Sequence, residues 1–456
     1  MTKGTLRTNF GAATIIISIC FIIIGSVLLS GCGKEKIIVR EIIYRDLPAP
    51  LEQIFPVNDT LLSDNNPTFS WHSQENTINY AIQVSTSSNF INFAINTSTI
   101  DTNYTTVSQI PNGSYFWRVR AQNADSMWGD WSDASVRAFY KSDNIFYLNL
   151  ISKISTIGTA QDVYVKGDSA YVADGQSELT IIDISDKFNP SLAANYDRQN
   201  DDFAKGIFIN ENDTLPFVWV ADMDGQVKGI NLDHDTTEIF DAFPFGQQNT
   251  EDITGTTIND TLYLFYVRSH GAVSAGAVGW WKTFSDELGN IIFDNYTVID
   301  FPTDVMGLHV YGDSLLLACD AGGMAIVDIS DISNPNVSLI YDLPGLSLSI
   351  FHSGNHAYIA SDRFGLYVMD LTAGPDTVAH INTSGRTKDV HVVGSHAFIA
   401  DASGGLKIID IAQPDSAYFV AAYATPYAYG VWADTEYIYI CDRDEGLMIF
   451  ENLVSR

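Results

Sequence analysis

The chain has 456 residues, of which 46% are hydrophobic and 12% aromatic, enough for two or three domains with sizeable cores. It carries 24 Lys and Arg against 55 Asp and Glu, a formal charge of −31. Phosphate backbones are drawn to basic surfaces, so this balance argues against nucleic acid as a partner; solubility is the simplest reading of the acidity.

Lys3 and Arg7 form a basic start, and residues 14–29 are an almost unbroken apolar run. The run ends in Leu29, Ser30, Gly31 and Cys32. These four residues resemble a bacterial lipobox. The resemblance implies removal of residues 1–31 and lipid attachment at Cys32, anchoring the protein at the cell envelope. Gly33 follows Cys32 in place of an aspartate, which favours the outer membrane or cell surface. An ordinary transmembrane anchor is the alternative, because the run is just long enough to span. Residues 32–50 read as a tether: a short amphipathic piece, then Leu47, Pro48, Ala49 and Pro50 to stiffen it.

Residues 51–141 alternate as strands do. Ile78, Tyr80, Ile82 and Val84 share one face, with Asn79, Ala81 and Gln83 on the other. Trp71 is a core candidate, Pro111, Asn112 and Gly113 make a turn, and Tyr115, Phe116, Trp117, Arg118, Val119 and Arg120 continue as a strand. Trp128 and Trp131 follow, placed to stack on Arg118 and Arg120. In this order the features resemble a fibronectin type III domain, a β-sandwich that has no single function and often serves as a spacer.

Residues 146–456 repeat. Asp162, Val163, Tyr164, Val165 precede Ala170, Tyr171, Val172, Ala173, Asp174 and then Ile181, Ile182, Asp183. The same order returns at Asp389, Val390, His391, Val392, with Ala397 to Asp401 and Ile408, Ile409, Asp410, and again from Gly307 to Asp328. The third strands of the last four units close at Asp328, Asp370, Asp410 and Glu451, about forty residues apart. One divergent unit fills the stretch between Asn231 and Asp328. Four-stranded units that cannot bury both faces alone stack around an axis. The repeats resemble the LVIVD repeat, and the resemblance implies a seven-bladed β-propeller; the expected fold is all-β, a sandwich followed by that propeller. The last unit lacks a fourth strand, and residues 146–158 are expected to supply it, leaving no free edge. Cys319 and Cys441 fall in distant units, so no disulfide is expected.

Six acids, Asp174, Asp222, Asp320, Asp362, Asp401 and Asp442, end the second strands. They invite a calcium reading, but Asp also accepts turn N–H groups, and the turn reading is preferred. Tyr164, Phe208, His309, Phe351, His391 and Trp432 share one position of the first strands, which reads as packing between units and not as a metal site. No sialidase-type box, nucleophile elbow or phosphate loop appears, so an enzyme is not expected. The departure from the repeat is the functional lead: Arg268, Ser269 and His270, a Gly-containing loop, then Trp280 and Trp281. Two readings stand, a mobile ligand lip or an insertion carrying two core tryptophans. Arg363, Arg386, Tyr427 and Arg443 would join the lip around the channel mouth. The expected function is a binding or scaffold module engaging a protein or glycan. A calcium-assisted hydrolase at the channel mouth and a plain envelope spacer are the alternatives.

Overall fold

A computed structural model describes residues 47–456, apart from 58–59, 133–137, 144, 197–202, 211–216, 233–235, 242–248, 260, 270–275, 286–290, 373, 375 and 455–456. The lipid-attachment candidate Cys32 and the loop residue His270 lie outside the described residues. The described chain is built on strands, with one short 3-10 turn at Pro414–Ser416 and no α-helix among the described residues.

The first part is two packed sheets. β1 (Gln53–Phe55), β3 (Thr68–Trp71) and β6 (Asn103–Thr105) form one; β2 (Thr60–Leu62), β8 (Ala138–Lys141), β7 (Gly113–Asn123), β4 (Thr77–Ser85) and β5 (Phe93–Thr99) form the other, in that order. Their alternating faces meet in a core of Phe69, Trp71, Tyr80, Ile82, Trp117, Val119 and Phe139. Period-two alternation is what produces this: Tyr80, Ile82 and Val84 of β4 and Trp117, Val119 and Ala121 of β7 are buried while the residues between them are partly exposed. Arg118 and Arg120 interleave with Phe90, Trp128 and Trp131, with guanidinium-to-ring distances of 4.1 to 4.8 Å.

Residues 149–454 contain seven four-stranded antiparallel sheets among the described residues. Their innermost strands are Asp162–Lys166, Ala204–Ile209, Asn249–Ile258, Gly307–Tyr311, Ser349–Ser353, Asp389–Val393 and Ala428–Ala433, numbered here as sheets 1 to 7. Each innermost strand packs on that of the next sheet, and that of sheet 7 packs on that of sheet 1. The outer strand of sheet 7 is β9 (Asn149–Ile154), antiparallel to Gly446–Glu451, so the beginning and end of this region share one sheet. The faces between sheets are apolar, as in the cluster of Phe265, Trp280, Leu308, Leu317 and Val327 between sheets 3 and 4. Cys319 and Cys441 are buried and free.

The two parts touch. Tyr140 at the end of β8 is fully buried against Phe419 in the outer strand of sheet 6, ring centroids 3.8 Å apart, and Lys407 Nζ lies 5.6 Å from the Tyr140 ring centre. Ser114 Oγ donates to the Asn382 carbonyl at 2.8 Å.

Candidate functional site

Each sheet begins with a short step into its innermost strand. The residues at this step are Gln161, Lys205, Glu251, Met306, Leu348, Lys388 and Tyr429, one from each sheet. All seven line a single axial cavity of about 210 Å³. The following residues are Asp162, Gly206, Asp252, Gly307, Ser349, Asp389 and Gly430, and they explain why the strands come so close. Each Asp accepts its own next backbone N–H with one oxygen and an N–H of the next sheet with the other. Asp162 takes Val163 and Ile207, Asp252 takes Ile253 and Leu308, and Asp389 takes Val390 and Val431, at 2.7 to 3.1 Å. Ser349 Oγ adds a bond to Asp389 at 2.6 Å. Where no Asp reaches across, the step is closed by a glycine or by Ser349. A Cβ on Gly430 would stand 2.5 Å from the Gln161 carbonyl oxygen, and one on Gly206 2.8 Å from Asp252 Oδ1.

This floor is electrostatically costly. Burial, with the charges of Asp389 and Asp252, pushes Asp162 well above the carboxylate range. Burial raises Asp252 to about 7 and raises Asp389 as well. At the mouth the sign changes. Lys205 sits 3.5 Å from Glu251 and Lys388 3.5 Å from Asp362, both long contacts that leave ammonium donors over. Burial lowers Lys388, Asp362 opposes this, and the charges of Arg386 and Lys205 add to the lowering.

One layer below, aromatic rings of successive innermost strands touch: His309 on Phe351 at 4.3 Å, Phe351 on His391 at 4.7 Å, His391 on Trp432 at 5.6 Å and Trp432 on Tyr164 at 6.4 Å. Burial holds His309 down to about 3 and His391 to about 4, so both are neutral packing groups, and Ala433 N donates to His391 Nδ1 at 3.2 Å.

The residues singled out by sequence divide. Arg386, Tyr427 and Arg443 come together at the mouth. Arg386 pairs with both oxygens of Asp362 at 2.7 and 3.1 Å, Arg443 lies 4.7 Å over the Tyr427 ring, and Tyr427 is 4.9 Å from Tyr429. Arg363 is exposed in the neighbouring turn of sheet 5. The lip expected from Arg268, Trp280 and Trp281 is not formed. The two tryptophans are adjacent on Gly276–Ser285, so they point to opposite faces of sheet 3 and are 1% and 7% exposed. Trp280 fills the core towards sheet 4, Trp281 the core towards sheet 2, and Arg268 is buried with Nη2 2.6 Å from Asp300.

The six acids also fall into two sets. Asp174, Asp222, Asp401 and Asp442 end second strands and clamp the loop arriving from the preceding outer strand: Gly158 N donates to Asp174, Phe203 N to Asp222, Gly385 N to Asp401 and Tyr427 N to Asp442, at 2.8 to 3.1 Å. Asp320 and Asp362 stand one residue later, with Gly175 and Ala402. All four have φ between 41° and 54° and bridge to the next sheet, so the six carboxylates do not form one ring. Among the described residues, no group of three or more His, Cys, Asp or Glu is placed to hold a metal ion. Sequence reasoning missed Lys205, Lys388 and Tyr429; aligning the repeats on Asp162, Gly206, Asp252, Gly307, Ser349, Asp389 and Gly430 and reading the residue before each would have found them.

Segments 157–198, 302–343, 344–373, 384–425 and 427–450 match the profile of the LVIVD repeat. They correspond to sheets 1 and 4 to 7, and sheets 2 and 3 lie between the matched segments. No protein of curated function matches the chain in sequence. Among solved structures, the WD40 β-propeller domain of Doa1 is 11% identical, with a TM-score of 0.50 over 67% of this chain and 97% of that one. The computationally designed Ika8 protein is 9% identical, with a TM-score of 0.48 over 67% and 99%. Repeats, sheets and structural likeness agree: the chain is an all-β, propeller-type repeat protein carrying LVIVD repeats.

Proposed function

We propose that the chain is a lipid-anchored binding module of the bacterial cell envelope, in which a fibronectin type III-like sandwich carries a seven-bladed β-propeller and the axial mouth of that propeller takes the ligand. The observation that carries this reading is the convergence of one side chain from every sheet on a single cavity, lined by Lys205, Lys388, Glu251 and Tyr429, with Arg386 nearby on Asp362, in a chain of charge −31. Concave sites with a few convergent polar groups are where ligands bind. Tyr427 and Tyr429 beside these cations supply the aromatic and Arg mix of interface anchors. The ligand is a protein or a glycan of the envelope, and the lipobox-like Leu29 to Cys32 supplies the anchor.

Capture from envelope extract on immobilised Leu47–Arg456 tests the reading. A stoichiometric ligand is expected on the parent and is lost from the variant Lys205→Gln, Lys388→Gln, Arg386→Gln. Equal capture by parent and variant overturns the mouth as the site. Mass analysis of the membrane-bound form tests the anchor: a lipid-modified Cys32 at the new N-terminus is expected, and an intact N-terminal span contradicts it.

A further inference from the structure

The sandwich presents a second surface, unrelated to the axial mouth. Across residues 76–117 the one charged side chain is Asp101, in a chain of formal charge −31. This neutral stretch includes β5, the edge strand of the five-stranded sheet. β5 pairs with β4 on one side and, among the described residues, with no strand on the other.

Edge strands offer a row of unpaired N–H and C=O groups, and proteins guard them with Lys or Pro. β5, with the sequence FAINTST, has neither. Its surroundings are apolar where water should be: Ile91 is 70% exposed, Phe93 43%, Ile100 79% and Val107 88%. A groove of about 270 Å³ runs beside it, lined by Ala94, Ile95, Thr97, Tyr104 and Ile110. Exposed apolar groups clustered on an open edge mark an interaction surface.

Charge decides the occupant. A second copy of a chain this acidic is repelled almost everywhere, because like charges face each other across any contact between charged patches. Residues 76–117, with Asp101 as their one charge, form a strip where that repulsion is weak. A two-fold axis sets identical edges antiparallel, so the strand complements itself. We propose that β5 is a homodimer edge: two copies pair β5 to β5, extend the sheet across the axis and cover Phe93 and Ile100. The dimer then holds two propeller mouths on one assembly, which strengthens weak binding to a multivalent surface.

Sedimentation of Leu47–Arg456 over a concentration series tests this. The mass is expected to rise from one chain to two. Asn96→Lys with Ser98→Lys, both at exposed positions of β5, is expected to remain one chain with unchanged melting. Leu192→Lys with Ile340→Lys, on exposed outer strands of sheets 1 and 4, is expected still to dimerise. A single chain at every concentration overturns the proposal. So does a dimer that survives the β5 lysines, or one lost equally in the outer-strand control. Amide exchange on the unmutated protein gives an independent reading. Protection of the β5 amides must grow with concentration, and unchanged exchange there refutes the pairing.

Discussion

Lys228→Met is the sharpest perturbation of the ring. Lys228 stands in the third strand of sheet 2 and is fully buried, with Nζ 2.7 Å from Asp222 and 2.9 Å from Glu178, which belongs to the turn of sheet 1. Both carboxylates are at most 2% exposed, so the ammonium ties two sheets together where water cannot replace it. Removing it leaves two buried acids facing each other, and an uncompensated buried charge costs about 3–5 kcal/mol. Proton uptake by one of the two acids relieves part of this, so the lower end, about 3 kcal/mol, is expected at neutral pH. At about 2 °C per kcal/mol for a large domain, melting should fall by about 6 °C. Urea unfolding followed by tryptophan fluorescence gives the free energy. The loss should shrink as pH falls, because protonation neutralises the acids the lysine no longer balances. Adding Glu178→Gln should recover much of it at neutral pH. A loss below about 1 kcal/mol, or one that ignores pH, would refute the idea that this buried triad binds the sheets together.

Other outcomes follow from the same geometry. Gly430→Ala places a methyl against the Gln161 carbonyl at the junction of sheets 7 and 1, and is expected to destabilise by about 2 kcal/mol or more, read by urea unfolding. Tyr140→Ala empties the contact between sandwich and ring; a loss of about 3–5 kcal/mol is expected, with faster proteolysis between the two parts. His309 and His391 are held neutral when folded, at about 3 and about 4, whereas the unfolded chain takes up protons near 6.5. The unfolded state therefore binds more protons as pH falls from about 6.5 towards 4, and stability is lost across that window. His309→Phe with His391→Phe removes this loss. The variant should gain on its parent as pH falls, by up to about 2 kcal/mol per histidine at pH 5, and a pH-independent difference contradicts it.

Strand-forming segments and the repeat were legible because they rest on local pattern. The alternation through Tyr80, Ile82 and Val84 and the returning Asp-Val-x-Val and Ile-Ile-Asp runs state burial directly, whereas Ile78, placed on the same face, is exposed because the pairing of β4 with β7 shifts register between Thr77 and Asn79. The missing fourth strand of the last unit pointed to residues 146–158, and the strand that fills the place is Asn149–Ile154. Of the two readings of Trp280 and Trp281, the insertion with two core tryptophans is the one the strand explains. A pair of tryptophans beside a Gly-containing loop looks like a lip, but neighbours on a strand face opposite sides, and here both sides are core. The ring of six acids failed by one residue. Cys319 and Ser361 occupy the position held by Asp174 in sheet 1, so aligning on Asp slips the register, and strand pairing alone reveals it. Lys205 and Lys388 were hidden because their role comes from convergence across sheets far apart in sequence.

The most direct test of the axial mouth as the binding site is an amide-exchange footprint of the captured ligand on Leu47–Arg456. Protection should appear at the steps into the innermost strands, around Gln161, Lys205, Lys388 and Tyr429 together, although they come from four different sheets. A footprint confined to the sandwich or to the outer strands of the ring, with these steps unchanged, would contradict the account.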